Sequence, residues 1–358
     1  MQGTSVQTCD ELNYFLEFIR LLLQKQPIEG LGVWGERFTQ YRRDGQYHLC
    51  FRLLQGIKSA DLPPYGVAIV RYSEGWLYDR MGLWQEAIAA YKASLRTFQA
   101  EKMPIDSELW TNIASLYQDQ GHWGEAEKAY QDALAAAEQR KDKRSRGRVL
   151  NNLGGLYLLR RNLEEAARCF EEAVQILQEV DDQYNYAAAL VNLGSVRRDQ
   201  GRLQDALNGY LESASVYQKL GELHALGLTL ASIAFLYQFS QHVEEAVVMY
   251  EEALSLFNAI GDHVNVTKTL GNLALIKQEE GDLEQALAYF EQALAGYKDI
   301  GDRRGEAATL VNLAHLHTLR GDLEQAAAFA AQARNLSEAL GFSDQLARLQ
   351  DLSLSSEA

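Results

Sequence analysis

The residues with obvious chemical reach are few. Gly30-Leu31-Gly32-Val33-Trp34-Gly35 spells the G-x-G-x-x-G pattern of a dinucleotide-binding turn. That turn works between a strand and a helix, where its glycines let the backbone approach a pyrophosphate. Here a helical stretch and Pro27 come first and no strand pattern is near, so the expectation is a loop joining two helices and no nucleotide cofactor. His315 and His317 are two residues apart, which on a helix sends them to different faces, so they cannot chelate one metal together. One of the two falls at a position where other units place a packing tyrosine and is expected in the core. Cys9, Cys50 and Cys169 are odd in number, widely spaced and without an obvious histidine partner. They make neither a disulfide framework nor a zinc site, and they point to a reducing compartment. The acid pairs Glu164-Glu165, Glu171-Glu172 and Glu251-Glu252 recur with a repeat, which fits a solvated helix face better than acid–base catalysis. No catalytic residue, metal or cofactor is expected, although a fold alone never excludes a grafted site.

One polar residue does recur. Asn112, Asn152, Asn192, Asn272 and Asn312 stand 40 residues apart or in multiples of it, with Ser232 in the missing place. A primary amide donates and accepts at once, so such a row can grip an extended peptide backbone whatever its side chains. The alternative is local: each amide bonds the neighbouring repeat.

The elements that position these amides are themselves repeated. Each asparagine is followed by Ile or Leu and then Gly or Ala, as in Asn152-Leu153-Gly154. Twelve residues after that small residue comes an alanine, from Ala126 through Ala166 to Ala326, and four later an aromatic such as Tyr130, Phe170 or Phe290. Leu150, Leu153 and Tyr157 form an apolar stripe at helical period. Gly121, Gly201, Gly281 and Gly321 suit the left-handed position after a first helix. Asp282-Leu-Glu-Gln285 and Asp322-Leu-Glu-Gln325 read as capping boxes opening a second one. That second helix ends at Gly221, Gly261, Gly301 and Gly341, and Asp262 and Asp302 can cap the next first helix. No single hairpin can bury its apolar face alone, so neighbours must stack.

This pattern resembles the tetratricopeptide repeat family. Trp110, Ile113, Ala114, Tyr117, Ala126, Tyr130 and Ala133 follow its signature in one unit; Leu150, Leu153, Gly154, Tyr157, Ala166, Phe170 and Ala173 follow it in the next. The usual closing proline is absent and the unit has 40 residues rather than the family's 34, so the helices should be longer by nearly two turns in total. The long unit is similar to that of kinesin light chain, spindle-orientation adaptors and bacterial signalling arrays. The clear resemblance spans 106–340, with one further unit upstream marked by Gly82, Ala87 and Tyr91. It implies an all-α, right-handed superhelical solenoid of about seven to eight antiparallel helix hairpins. It also implies that the first helices line a concave groove.

Helical geometry agrees: Arg148, Asn152, Gly155 and Leu159 fall on one side of a helix. The expected peptide-binding groove holds Arg148, Asn151, Asn152, Asn192 and Arg198 as a polar, basic stretch. Arg140 to Arg146 lie in the loop feeding it. An acidic segment or a terminal carboxylate would suit these cations; for 140–146 a solvated loop is the alternative. Ser232, with Leu228, Phe235 and Phe239, offers an apolar pocket for one anchoring side chain, the alternative being packing between repeats. Lys268, Asn272, Gln278, Asn312 and His315 continue as a polar wall.

Composition sets the outer bounds. The 358 residues carry 34 Lys and Arg against 49 Asp and Glu, a formal net charge of -15, which disfavours a nucleic-acid partner. Hydrophobic residues make up 47%, enough for a core. All four prolines lie at or before Pro104, so nothing beyond forbids helix. Asp10 and Glu11 stand where a secretory signal would be basic, and Leu12–Leu23 is too short and too charged to span a bilayer. A soluble cytoplasmic protein is expected. Residues 1–66 are expected as a helical cap with a degenerate hairpin over Val33–Lys58 turning at Gly45, 8–26 forming its first helix; 67–342 as the repeat array; and 343–358 as a C-terminal cap or tail. The break at Leu62-Pro63-Pro64-Tyr65-Gly66 marks the first boundary. The expected function is a non-enzymatic protein- or peptide-binding adaptor or scaffold of unspecified oligomeric state. Two alternatives are a peptide-sensing signalling or transcription regulator, and an assembly chaperone docking at a membrane through Tyr14, Phe15, Phe18, Ile19 and Leu22.

Overall fold

What happens every 20 residues sets the fold. In the computed structural model, which describes residues 3–58 and 60–355, there are eighteen helices and no strand among the described residues. From Gly82 to Gly341 each helix link carries one residue with positive φ, 19 or 20 residues after the last. Glycine fills most of these places, but Lys102, Lys141, Arg161, Asp181 and Gln241 hold φ between 52° and 63°. The chain therefore turns on the same left-handed residue whether or not glycine announces it. The closing bonds are those of a helix C-terminus: Gly201 N–H donates to Arg198 O at 2.9 Å and Arg202 N–H to Arg197 O at 2.8 Å. At the other end Asp142, Asp262, Asp282, Asp302 and Asp322 each accept a backbone N–H three residues on, as an N-cap should.

The chain divides into two compact units, Met1–Asp181 and Asp182–Ala358. The first opens with α1 (Gly3–Lys25), α2 (Pro27–Arg43) and α3 (Tyr47–Ile57). Three hairpins follow: α4 (Pro64–Arg80) with α5 (Trp84–Ala100), α6 (Ser107–Asp119) with α7 (Trp123–Gln139), and α8 (Lys143–Leu159) with α9 (Leu163–Glu179). The second unit holds four: α10 (Gln183–Asp199) with α11 (Leu203–Leu220), α12 (Leu223–Phe239) with α13 (Val243–Ile260), α14 (His263–Glu279) with α15 (Leu283–Ile300), and α16 (Arg303–Leu319) with α17 (Leu323–Leu340). It ends on α18 (Ser343–Ser355). From α7 to α17 the 40-residue period is two helices of 17 or 18 residues and two short links, while α6 has 13 residues.

Within a hairpin the two helices meet at the predicted small residues. Ala126, Ala166, Ala206, Ala246 and Ala286 are fully buried. A Cβ added to Gly154 would stand 2.7 Å from Phe170, and one added to Gly194 would stand 2.7 Å from Tyr210. The aromatic of the second helix therefore rests on bare backbone of the first. Ser213 replaces the alanine of other repeats and donates from Oγ to Ala187 O at 2.9 Å, so even the polar variant is satisfied.

The N-terminal helices differ from expectation in two ways. Pro27, at the first helical position, starts α2 six residues before Val33. The glycine-rich segment 30–35 is therefore helix, not a connecting loop: Gly30 lies against Leu23 and Trp34 is buried, stacked on Phe38 at 5.2 Å and donating from Nε1 to Leu53 O at 3.2 Å. The turn at Gly45 is where the sequence placed it, with φ 66°. Trp76 of α4 packs edge-on against Phe38 and Tyr47 at 6.1 and 5.8 Å, joining these helices to the first hairpin.

Candidate functional site

The first helix of each hairpin buries one side against its partner and leaves the next turn half-covered. On α8 Leu153 and Gly154 are buried, Asn151 and Asn152 half-buried and Arg148 exposed. The same order recurs on α14, with Leu273 and Ala274 buried, Asn272 half-buried and Lys268 exposed. Every site residue singled out in the sequence thus lies on a first helix, half-buried or exposed. They belong to two units. Arg148, Asn151 and Asn152 lie in the first, and Asn192, Arg198, Ser232, Phe235, Phe239, Lys268, Asn272, Asn312 and His315 in the second.

The asparagines do not all do the same thing. Asn312 Oδ1 accepts from Arg348 Nη2 at 2.7 Å, and Asn112 Nδ2 donates to Tyr72 Oη at 3.3 Å. At both places the amide bonds a neighbouring helix, the local use that the sequence left open. Arg348 lies 200 residues after Arg148 and in the same register, 36 residues after Asn312. The Asn152 and Asn272 amides have no hydrogen-bond partner among the described residues. His315 Nδ1 stands 3.2 Å from Gln278 Nε2, so two members of the polar wall bridge successive first helices. His317 is the buried member of the histidine pair, stacked at 5.3 Å on Phe329. Ser232 spends its hydroxyl on Leu228 O, 2.9 Å away in its own helix.

The apolar set around Ser232 is exposed. Leu228, Phe235 and Phe239 are 42%, 46% and 63% exposed, and they follow at i, i+7 and i+11 along α12. Three large apolar side chains on one stripe are informative in a way that single exposed ones are not. The Arg198 guanidinium lies over the Phe235 ring at 5.5 Å, with a hydrogen bond to Asp199 Oδ1 at 2.8 Å. The structure thus brings one predicted cation onto the predicted anchor. The basic segment 140–146 is loop only over 140–142, because Asp142 caps α8 and the helix starts at Lys143. Its cations are largely paired: Arg146 bonds Glu172, Lys143 reaches Glu179 at 3.1 Å, and Arg140 lies 3.8 Å from Asp106. Asp142 caps α8, and hydrogen bonds from the Ser145 hydroxyl and amide hold its carboxyl below the ordinary range.

The α1 docking set changes. Ile19 is buried and Phe15 and Leu22 are half-buried, packed inward because they share the helix face of Leu12 and Leu23. Tyr14, Phe18 and Leu21 are the exposed side. No helix among the described residues is long and apolar enough to cross a membrane. Cys50 and Cys169 are buried free thiols, each pushed up to about 11 chiefly by that burial. The Cys9 side chain lies outside the described residues. No cluster of metal-binding side chains occurs among the described residues.

The tetratricopeptide repeat family profile matches residues 106–179, 185–259 and 261–339. No curated protein is a significant sequence match. Among solved structures, the apo form of the quorum sensor NprR from B. thuringiensis superposes with a TM-score of 0.68 at 17% identity, covering 93% of this chain and 99% of that one. A signal transduction ATPase with numerous domains and a tetratricopeptide repeat sensor, from Pyrococcus horikoshii, gives 0.70 at 16% identity, covering 96% of this chain and 55% of that one. A Rap protein complexed with competence and sporulation factor gives 0.54 at 16% identity, covering 94% and 99%. At these identities the likeness is one of fold.

Proposed function

Because the chain belongs to the tetratricopeptide repeat family, we propose that it is a non-enzymatic binding scaffold that holds an extended peptide or partner segment along its first helices. The observation that carries this is the α12 stripe: Leu228, Phe235 and Phe239 stand in solvent with Arg198 laid over Phe235. An apolar side chain of the ligand would bury against the two phenylalanines, and an acidic neighbour would meet the guanidinium. Amides such as Asn272 would hold the ligand backbone. The proposed site residues are those read from the sequence, Arg148, Asn151 and Asn152 in the first unit and Asn192 to His315 in the second. Several already have partners with which a ligand must compete, Arg198, Ser232, Asn312 and His315 among them. The likeness in fold to a quorum sensor and to a Rap protein in complex with a factor supports a peptide-sensing role within this reading.

The test is selection from a random peptide library on the immobilised full chain, repeated with Arg198→Glu. Selected sequences should share an aromatic or aliphatic anchor beside an acidic residue, and the variant should lose that acidic preference. Selection that returns no consensus, or a basic one, ends this reading. A second reading, docking at a membrane through α1, is favoured by the exposed Tyr14, Phe18 and Leu21. Liposome co-sedimentation separates it, since only that reading predicts loss of sedimentation with Phe18→Ser.

A further inference from the structure

The junction between the α4–α5 and α6–α7 hairpins is built unlike the one that follows it. Between α7 and α8, Tyr157 Oη donates to Glu127 Oε1 at 2.8 Å and Arg160 Nη1 donates to Glu127 Oε2 at 2.6 Å, drawing the two helices together. The residue of α5 in the register of Glu127, 39 positions earlier, is Ile88. Tyr117, the counterpart of Tyr157, therefore has no carboxylate to bond, and Lys92 Nζ lies 5.2 Å over its ring instead. The link also differs. α5 and α6 are separated by 101–106, which includes Pro104, where α7 and α8 are separated by 140–142 alone. Trp110 stands where the next repeat has Leu150.

The consequence is a cleft between α5 and α7 floored by α6. One cavity of about 370 Å³ is lined by apolar Leu95, Trp110, Ile113 and Ala129, and a second of about 280 Å³ meets it at Trp110 and Asp132. The first lies within the size range of small-molecule sites, which pair an apolar lining with a few polar groups. Lys92, Arg96 and Lys128 border it and Lys102 borders the second, against the acids Glu125 and Asp132. None of these four cations pairs with an acid among the described residues. Four cations to two acids is the reverse of the chain's balance of 34 to 49.

We propose that this cleft binds an amphipathic anion, a small molecule with an apolar body seated on Trp110 and a carboxylate-type head held by Lys92 and Arg96. The site is independent of the α12 stripe and stands or falls without it. A bound head group supplies the charge that Glu127 supplies at the next junction, and the apolar body fills the space that the longer link opens.

Calorimetric titration of the full chain with dodecanoate, kept below its micellar concentration, tests the assignment. Dodecyltrimethylammonium serves as the same tail with the opposite head. The expected result is one saturable dodecanoate site whose affinity falls at least tenfold in Lys92→Glu/Arg96→Glu, a pair exposed enough to change without unfolding the hairpin. The cationic ligand should bind the native chain at least tenfold more weakly. Trp110→Leu, which restores the residue of the next repeat, should weaken dodecanoate and abolish its effect on tryptophan fluorescence. Three results would each overturn the proposal: no saturable site, equal binding of the two head groups, or undiminished affinity in the charge-reversed pair.

Discussion

Gly154 and Gly155 are neighbours on α8, yet replacing each by alanine should move stability in opposite directions. A Cβ on Gly154 would stand 2.7, 2.8 and 3.0 Å from three ring carbons of Phe170. Ordinary contact lies near 3.5–4.0 Å, so the ring must retreat by about 1 Å. It has nowhere to go, because Phe170 is fully buried and Ala166 below it is too. Overpacking of this kind costs about 1–3 kcal/mol, against which alanine's helix preference returns about 1 kcal/mol. The net expectation for Gly154→Ala is a loss of up to about 2 kcal/mol. A Cβ on Gly155 meets nothing within 4 Å, so Gly155→Ala should gain about 1 kcal/mol from helix preference alone. Thermal unfolding followed by circular dichroism reads both, at about 2–4 °C per kcal/mol for units of this size. Adding Phe170→Leu to Gly154→Ala should make the two losses less than additive, since the smaller side chain vacates the contested space. Equal shifts of the same sign in the two alanine variants would refute the claim that the aromatic rests on the glycine backbone.

Gln241→Gly should stabilise the second unit by about 0.5–1 kcal/mol, since a side chain at φ 63° costs about 1–2 kcal/mol and glycine's extra freedom when unfolded cancels only part of it; a lower melting temperature would count against the left-handed turn. Asp142→Ala should cost about 1 kcal/mol at pH 7 through loss of its cap on α8. Because hydrogen bonds from Ser145 depress the folded carboxyl below its unfolded value, that stability is present above about pH 4 and lost as pH falls through the folded value, so the two melting curves should converge in acid. Asn272→Ala should weaken a selected peptide without changing the melting temperature, whereas Asn312→Ala, which breaks the bond to Arg348, should lower it; the reverse outcome would exchange the two roles.

Much of the array was legible because each rule recurs along the chain. The glycines at 121, 201, 281 and 321, the aspartate caps and the Ala–aromatic pairs all encode local geometry that does not depend on distant residues. Where a turn used Lys141, Arg161, Asp181 or Gln241, no residue type marked it, and only the 20-residue beat could. The glycine-rich segment 30–35 misled because local composition reads as loop, while Pro27 and the burial of Trp34 settle it as helix. The asparagine row showed position but not partner: Asn272 and Asn312 look alike in sequence, and what separates them is Arg348 arriving from a helix 36 residues on. The α5–α7 cleft was hidden for a similar reason. It arises from the absence of a tie, and a missing Glu at position 88 has no signature until the next repeat is laid over it.

The proposed ligand lies on the exposed stripe of α12. The direct measurement is the dissociation constant of a selected peptide for the native chain, for Phe235→Ala/Phe239→Ala, and for Glu251→Ala/Glu252→Ala, exposed on the second helix α13 of the same hairpin. Truncating an anchor residue typically costs more than 1 kcal/mol and 1.4 kcal/mol is a factor of ten, so the phenylalanine pair should bind at least about tenfold more weakly while the glutamate pair binds within about twofold of the native chain. Unchanged affinity in the phenylalanine variant, with both variants melting like the native chain, would contradict the account.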